Sequence, residues 1–141
     1  MQMDGLFSTT VELLGKNIDL RARNQNLIAS NIANAETPNY TPKSLAFEEE
    51  LQGALKGTGS GRTTSTTNSR HIPPKGTGGR LQSVTGRVVE TPAVTPGKDG
   101  NAVELENEMG RMMENQVMFN ASVQILAKKF EGLKSALREG K

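Results

Sequence analysis

Residues able to do covalent, acid–base or metal chemistry are few in this chain. His71 is the single histidine, and Ile72-Pro73-Pro74 after it reads as an extended loop. One histidine cannot supply a two-histidine metal site. Without cysteine there is no thiolate nucleophile, no cysteine-based zinc or iron–sulfur site and no disulfide framework. Glu48-Glu49-Glu50 offers adjacent carboxylates, but a run of like charges is the pattern of a solvated face rather than an acid–base pair. Gly76-Thr77-Gly78-Gly79 has the spacing of a phosphate- or nucleotide-clamping loop without the flanking helices that use requires, and no G-x-x-x-x-G-K-[ST] stretch occurs. Met109, Met112 and Met113 read as adaptable packing residues rather than metal ligands. No catalytic residue, cofactor site or metal site is expected. A net charge of +2 and only five aromatic side chains give no nucleic-acid signature.

The elements that carry these residues divide the 141-residue chain into three segments: 1–37, 38–100 and 101–141. All six prolines lie between Pro38 and Pro96, and ten of the 15 glycines lie between Gly53 and Gly100. In the last segment Leu105, Met109, Met112, Gln116, Phe119, Val123, Leu126, Phe130, Leu133 and Leu137 follow alternating steps of four and three. Nine of these ten are apolar in a chain that is 34% hydrophobic, so the row is a sustained heptad seam. The spacing predicts a helix over 102–138, capped by Asn101 with Glu104 at the capping-box position. Glutamates 104, 106 and 108 crowd its start and Lys128, Lys129, Lys134 and Arg138 its end, which suits the helix dipole.

A second seam runs through the first segment, where Leu6, Leu13, Leu20 and Leu27 recur every seven residues. Phe7, Val11, Leu14, Ile18, Ile28 and Ile32 broaden it, and Arg21 and Gln25 interrupt it. A helix over 4–35 is predicted, ending before Thr37-Pro38 because the residue ahead of proline avoids the helical region. The expected fold is mainly α: two long antiparallel terminal helices in a coiled-coil-like hairpin, joined by an irregular Gly/Pro/Ser/Thr-rich middle. Within that middle, 57–61 reads as a flexible linker. Leu81 to Glu90 reads as one short β-hairpin closed at Thr85-Gly86. A 37-residue helix is about 55 Å long, whereas a compact chain of this size is under about 40 Å across. The molecule must be elongated, with apolar surface left for neighbours.

One stretch is specific. Ser30-Asn31-Ile32-Ala33-Asn34-Ala35-Glu36-Thr37-Pro38-Asn39-Tyr40 resembles the A-N-N-I-A-N-A-x-T-P-G-Y signature of bacterial flagellar rod and hook proteins. Ser30 stands where Ala is usual. Asn39 replaces the usual Gly, and Asn tolerates a left-handed turn best among the other residues. Arg70-His71-Ile72-Pro73 and the run from Asp99 to Glu106 resemble stretches of the short proximal-rod members. Two such sister proteins of similar size are the nearest candidates.

The resemblance implies a structural subunit of the proximal rod, the drive shaft of the flagellar basal body, where it crosses the periplasm. It implies Asn31, Asn34, Thr37, Pro38 and Tyr40 as the motif that ends the first helix. Implied partners are further copies of the chain, other rod proteins, the MS ring and adaptor proteins at the base, and the export gate. Synthesis in the cytoplasm and export through the flagellar type III pathway, without a cleaved signal peptide, follow. The first basic residue is Lys16 and no apolar run reaches a membrane span, so neither a leader nor a transmembrane segment is expected. Phe47 and Leu51, four apart, resemble the export signal of early flagellar subunits, with a packing pair as the alternative. A soluble helical adaptor or chaperone of exported chains is the rival from another class. It would share the heptads but would not need the Thr-Pro-Asn-Tyr break or the Asp-Gly-Asn cap.

Overall fold

The computed structural model describes residues 4–56, 78–92 and 97–139. The glycine-rich stretch 57–61, His71 and the side chain of Leu6 lie outside the described residues. The described elements are α1 (Asp4–Ala33), β1 (Lys43–Ala46), α2 (Glu48–Lys56), α3 (Gly78–Ser83), β2 (Arg87–Glu90) and α4 (Leu105–Glu139).

α1 and α4 are proline-free and run antiparallel against each other, 30 and 35 residues long. The fold is therefore mainly α with two long terminal helices, as the periodicity predicts. Their interior glycines, Gly15, Gly110 and Gly132, face open space, so each costs helix propensity and relieves no clash.

The described parts of the middle segment, 38–56, 78–92 and 97–100, are more ordered than their composition suggests. Leu45, Phe47, Leu51, Ala54, Leu81 and Val84 bury themselves together against Leu20 of α1, with Leu13 and Leu27 packed at the edge. The leucine row of α1 thus covers this small core and does not serve as the seam to α4. Short helices α2 and α3 each contribute one apolar face, and neither is long enough to be stable alone.

The strand at the end of 81–90 is present as β2, but no local hairpin forms around Thr85-Gly86. Residues 81–83 belong to α3, and β2 pairs antiparallel with β1, Lys43 opposite Glu90 and Ala46 opposite Arg87. Gly86 adopts φ +68° where the chain passes the core; a Cβ there would stand 3.0 Å from Leu45 Cγ and 3.2 Å from Phe47 Cβ. Glu50 of the acidic run accepts the Gly86 N–H at 3.1 Å, and Arg23 donates to the Thr85 carbonyl at 2.6 Å. The carboxylate run therefore supplies a clamp for this turn as well as a solvated face.

α4 begins three residues later than the capping reading places it. Glu104 is the cap: its carbonyl accepts from the Glu108 N–H at 3.0 Å, and its carboxylate accepts from the Asn107 amide. Asn101 does a different job, described next.

Candidate assembly interface

The α1–α4 contact is built on a ladder of polar side chains. Asn17, Asn24 and Asn31 recur every seven residues on α1, and Ser122, Asn115 and Glu108 every seven on α4. They pair in antiparallel register: Asn17 donates to Ser122 at 3.3 Å, Asn24 to Asn115 at 3.4 Å and Asn31 to Glu108 at 2.8 Å. Glu108, Asn115 and Ser122 are all buried. Asn115 also donates to the Arg21 carbonyl at 2.9 Å and to Gln25 Oε1 at 2.7 Å. Buried polar groups of this kind favour the one register in which each asparagine amide of α1 meets an acceptor on α4, because any other leaves desolvated donors.

This ladder corrects the predicted seam on α4. Met112, Phe119 and Leu126 are half-buried against α1, but they alternate with Glu108, Asn115 and Ser122. The other predicted row, Leu105, Met109, Val123, Phe130 and Leu137, is exposed, and Leu133 sits at the limit of exposure. The apolar count favoured the more hydrophobic of two neighbouring rows. The buried row is polar because asparagines across the interface satisfy it. Met113, Val117, Met118 and Ile125 add to the exposed apolar surface of α4.

The motif turn sits at one end of the ladder, and Asn31 is its hub. Its side chain is 1% exposed. Its amide donates to the Lys43 carbonyl and to Glu108 Oε2, each at 2.8 Å; its oxygen accepts from the Lys43 N–H at 2.9 Å and from the Tyr40 hydroxyl at 3.3 Å. One asparagine thus ties α1, β1, Tyr40 and α4 together. The other carboxylate oxygen of Glu108 accepts from Arg111 at 3.0 Å, so the buried charge is paired on both sides. Asn34 donates back to the Ser30 carbonyl at 2.8 Å and accepts from the Thr37 hydroxyl at 3.1 Å. Together they close the fraying end of α1, whose last carbonyls have no helical partner. Pro38 is exposed in the turn and stops the helix. Asn39 adopts φ +58°, the left-handed conformation expected where Gly is usual.

Asn101 joins this turn to the last helix. Its amide donates to the Asn34 carbonyl at 3.0 Å and the Thr37 carbonyl at 2.6 Å, while its oxygen accepts from the Val103 N–H at 2.7 Å. Ala102 N–H donates to the Tyr40 carbonyl at 3.0 Å and Asn39 N–H to the Asp99 carbonyl at 3.2 Å. Gly100, at φ +76°, lies so close to the Asn39 side chain that a Cβ would clash with its amide oxygen. The Asp-Gly-Asn stretch is thus the counterpart of the Thr-Pro-Asn-Tyr turn.

Phe47 and Leu51 are 4% and 9% exposed, inside the small core, and Leu51 N–H bonds the Phe47 carbonyl at 2.9 Å. Arg21 lies over the Phe47 ring at 5.5 Å and reaches Glu48 at 3.3 Å. An open groove of about 710 Å3 runs between this region and α4, lined by cations and carboxylates alike, among them Arg21, Glu48, Arg87, Arg111 and Glu114. Among the described residues no cluster of three or more His, Asp or Glu side chains is placed to hold a metal, and no helix is long and apolar enough to cross a membrane.

Residues 19–41, the second half of α1 and the motif turn, match the family described as Flagella basal body rod protein. The flagellar basal body rod protein FlgB of Yersinia ruckeri is 30% identical over 126 residues, covering 87% of this chain and 89% of the relative. The chain belongs to the FlgB family of flagellar basal body rod proteins. The FlgB of Cereibacter sphaeroides is 36% identical, covering 84% of this chain and 86% of that protein. The FlgB of Salmonella typhimurium is 29% identical, covering 87% and 88%. Membership of the FlgB family separates the chain from its sister proximal-rod protein, which the sequence motifs leave as an alternative. The polar rungs were legible only as repeats: Asn17, Asn24 and Asn31 lie seven apart, a signal that a search for apolar periodicity passes over.

Proposed function

We propose that the chain is a structural subunit of the proximal rod of the bacterial flagellar basal body, working by packing and without catalytic turnover. Its partners are further copies of itself, other rod proteins, the MS ring and adaptor proteins at the base, and the export gate. It is made in the cytoplasm, leaves through the flagellar type III pathway, and takes its place in the rod where that crosses the periplasm. One observation carries the reading beyond family membership. α4 is spent on the fold along one polar row, while its apolar rows, with Val117 and Met113 each 66% exposed, remain uncovered. A helix that keeps its polar side for its own chain and its apolar side for the outside suits an assembly part.

The mechanism is rigidity by shared burial. The ladder and the motif turn hold α1 and α4 in one register, so each subunit presents its outer face in the same geometry. Burial of apolar surface against neighbours, at roughly 25 cal/mol per Å2, then offsets the entropy of association across several contacts at once.

The reading is tested in cells whose own copy is deleted. Expression of the chain should restore rods and swimming, and the chain should be present in isolated basal bodies. A soluble dimer that stays in the cytoplasm and is absent from basal bodies would instead mark it as an adaptor or chaperone of export.

A further inference from the structure

The two edges of the β1–β2 sheet are finished differently. Thr91 N–H donates to the Pro42 carbonyl at 2.9 Å, so the hydrogen-bonded pairs of this antiparallel ladder are 42/91, 44/89 and 46/87. The residues between them turn their backbone groups away from the partner strand. On β1 these are Lys43 and Leu45, and α1 takes them up. Asn31 accepts from the Lys43 N–H at 2.9 Å and donates to the Lys43 carbonyl at 2.8 Å, while Asn24 accepts from the Leu45 N–H at 3.1 Å. On β2 the outward residues are Val88 and Glu90. Among the described residues nothing bonds the N–H or carbonyl of either, and only β1 packs broadly on β2.

This open edge has defined ends. Gly86, the next outward residue on one side, gives its N–H to Glu50 at 3.1 Å. Pro92, the next on the other side, has no N–H to give. The Val88 side chain stands opposite buried Leu45, yet is itself 49% exposed. The small core therefore stops short by the width of one strand.

Charge at the edge says what completes it. Both carboxylates beside it are engaged, Glu50 by the Thr85 and Gly86 N–H groups and Glu90 by Lys43 at 3.8 Å. The guanidiniums at its 85–87 end are not. Arg23 donates to the Thr85 carbonyl, and among the described residues neither Arg23 nor Arg87 forms an ion pair, although Glu49 and Glu114 line the same groove as Arg87. The chain offers no complement of its own. Residues 57–77 contain three bases and no acid. β2 of a second copy fails on register, because outward residues must pair with outward residues; antiparallel pairing then sets Val88 opposite Val88 or Glu90, and never Arg87 opposite Glu90.

We infer that the open edge of β2 takes up a strand of a different protein, an extended segment with a β-branched apolar residue opposite Val88 followed by acidic residues for Arg87 and Arg23. The outward backbone groups of Val88 and Glu90 supply affinity, and the apolar and acidic side chains supply specificity. The edge lies apart from the apolar rows of α4, so the inference goes beyond the rod reading and does not depend on it.

The probe is a capped peptide, Thr-Thr-Val-Glu-Asp, titrated into the isotope-labelled full-length chain. Saturable binding is expected, with amide exchange slowed at Val88 and Glu90 and unchanged at Lys43 and Leu45. Replacing both peptide acids by lysine, or methylating the backbone nitrogen of its valine, should each weaken binding at least about tenfold. The Arg87→Glu chain should prefer the lysine peptide. Equal binding of the lysine or the methylated peptide, or no saturation in the millimolar range, overturns the inference. Slow exchange at Val88 and Glu90 in the chain alone overturns it too: constant with chain concentration, it makes residues 57–77 the occupant, and rising with concentration, it makes a second copy the occupant. None of these outcomes touches the rod assignment, which stands or falls on the presence of the chain in basal bodies.

Discussion

Asn31 concentrates more of the fold in one side chain than any apolar residue of α1. Replacing it by Leu would leave the Lys43 N–H and one oxygen of buried Glu108 without partners. Each such loss costs about 1–3 kcal/mol, so Asn31→Leu should lower the unfolding free energy by about 3 kcal/mol in urea titrations. A change within about 0.5 kcal/mol, the range of ordinary surface substitutions, would show that the hub is not needed. At this scale the motif was well legible. Asn34, Thr37 and Pro38 act as the stop their types suggest, and Asn39 takes the left-handed turn that Gly would have taken. Glu108 was not legible as the partner of Asn31, because among neighbouring glutamates it reads as a dipole-matching charge. Only the antiparallel register brings it beneath the motif.

At the scale of elements, periodicity located both long helices but not their faces. A four–three step pattern fits two adjacent rows on α4, and hydrophobicity selected Leu105, Met109 and Val123, which point outward. The leucines of α1 have the spacing of a helix–helix seam, yet Leu20 is buried under the middle segment. That core was illegible for a related reason: Leu45, Phe47, Leu81 and Val84 are far apart in sequence, and β1 finds its partner across more than 40 residues rather than in a hairpin. The same core frames the export question. Phe47 and Leu51 are buried once the chain has folded, so a signal on them can act only on an unfolded chain. The double variant Phe47→Ala with Leu51→Ala should lower secretion in cells lacking the other rod proteins, where assembly cannot draw the chain outward. Secretion at the wild-type rate there would leave these residues with the packing role alone.

At the scale of the whole molecule, a 35-residue helix about 52 Å long is held by a row of polar rungs and leaves its apolar rows open. The sequence announced elongation and surplus apolar surface through helix length alone. Which side would be surplus depended on the ladder, and hence on three asparagines spaced by seven. The central claim is that the outer face of α4 is open in the free subunit and covered in the rod. Val117 lies on that face, clear of the ladder and 66% exposed. A Val117→Cys chain can be labelled with a thiol reagent as purified subunit and again within isolated basal bodies. The account predicts rapid labelling of the free subunit and at least about tenfold slower labelling in the rod, the protection that a contact of 1.4 kcal/mol or more would give. Equal labelling rates in the two states, with the variant present in the rod, would contradict it.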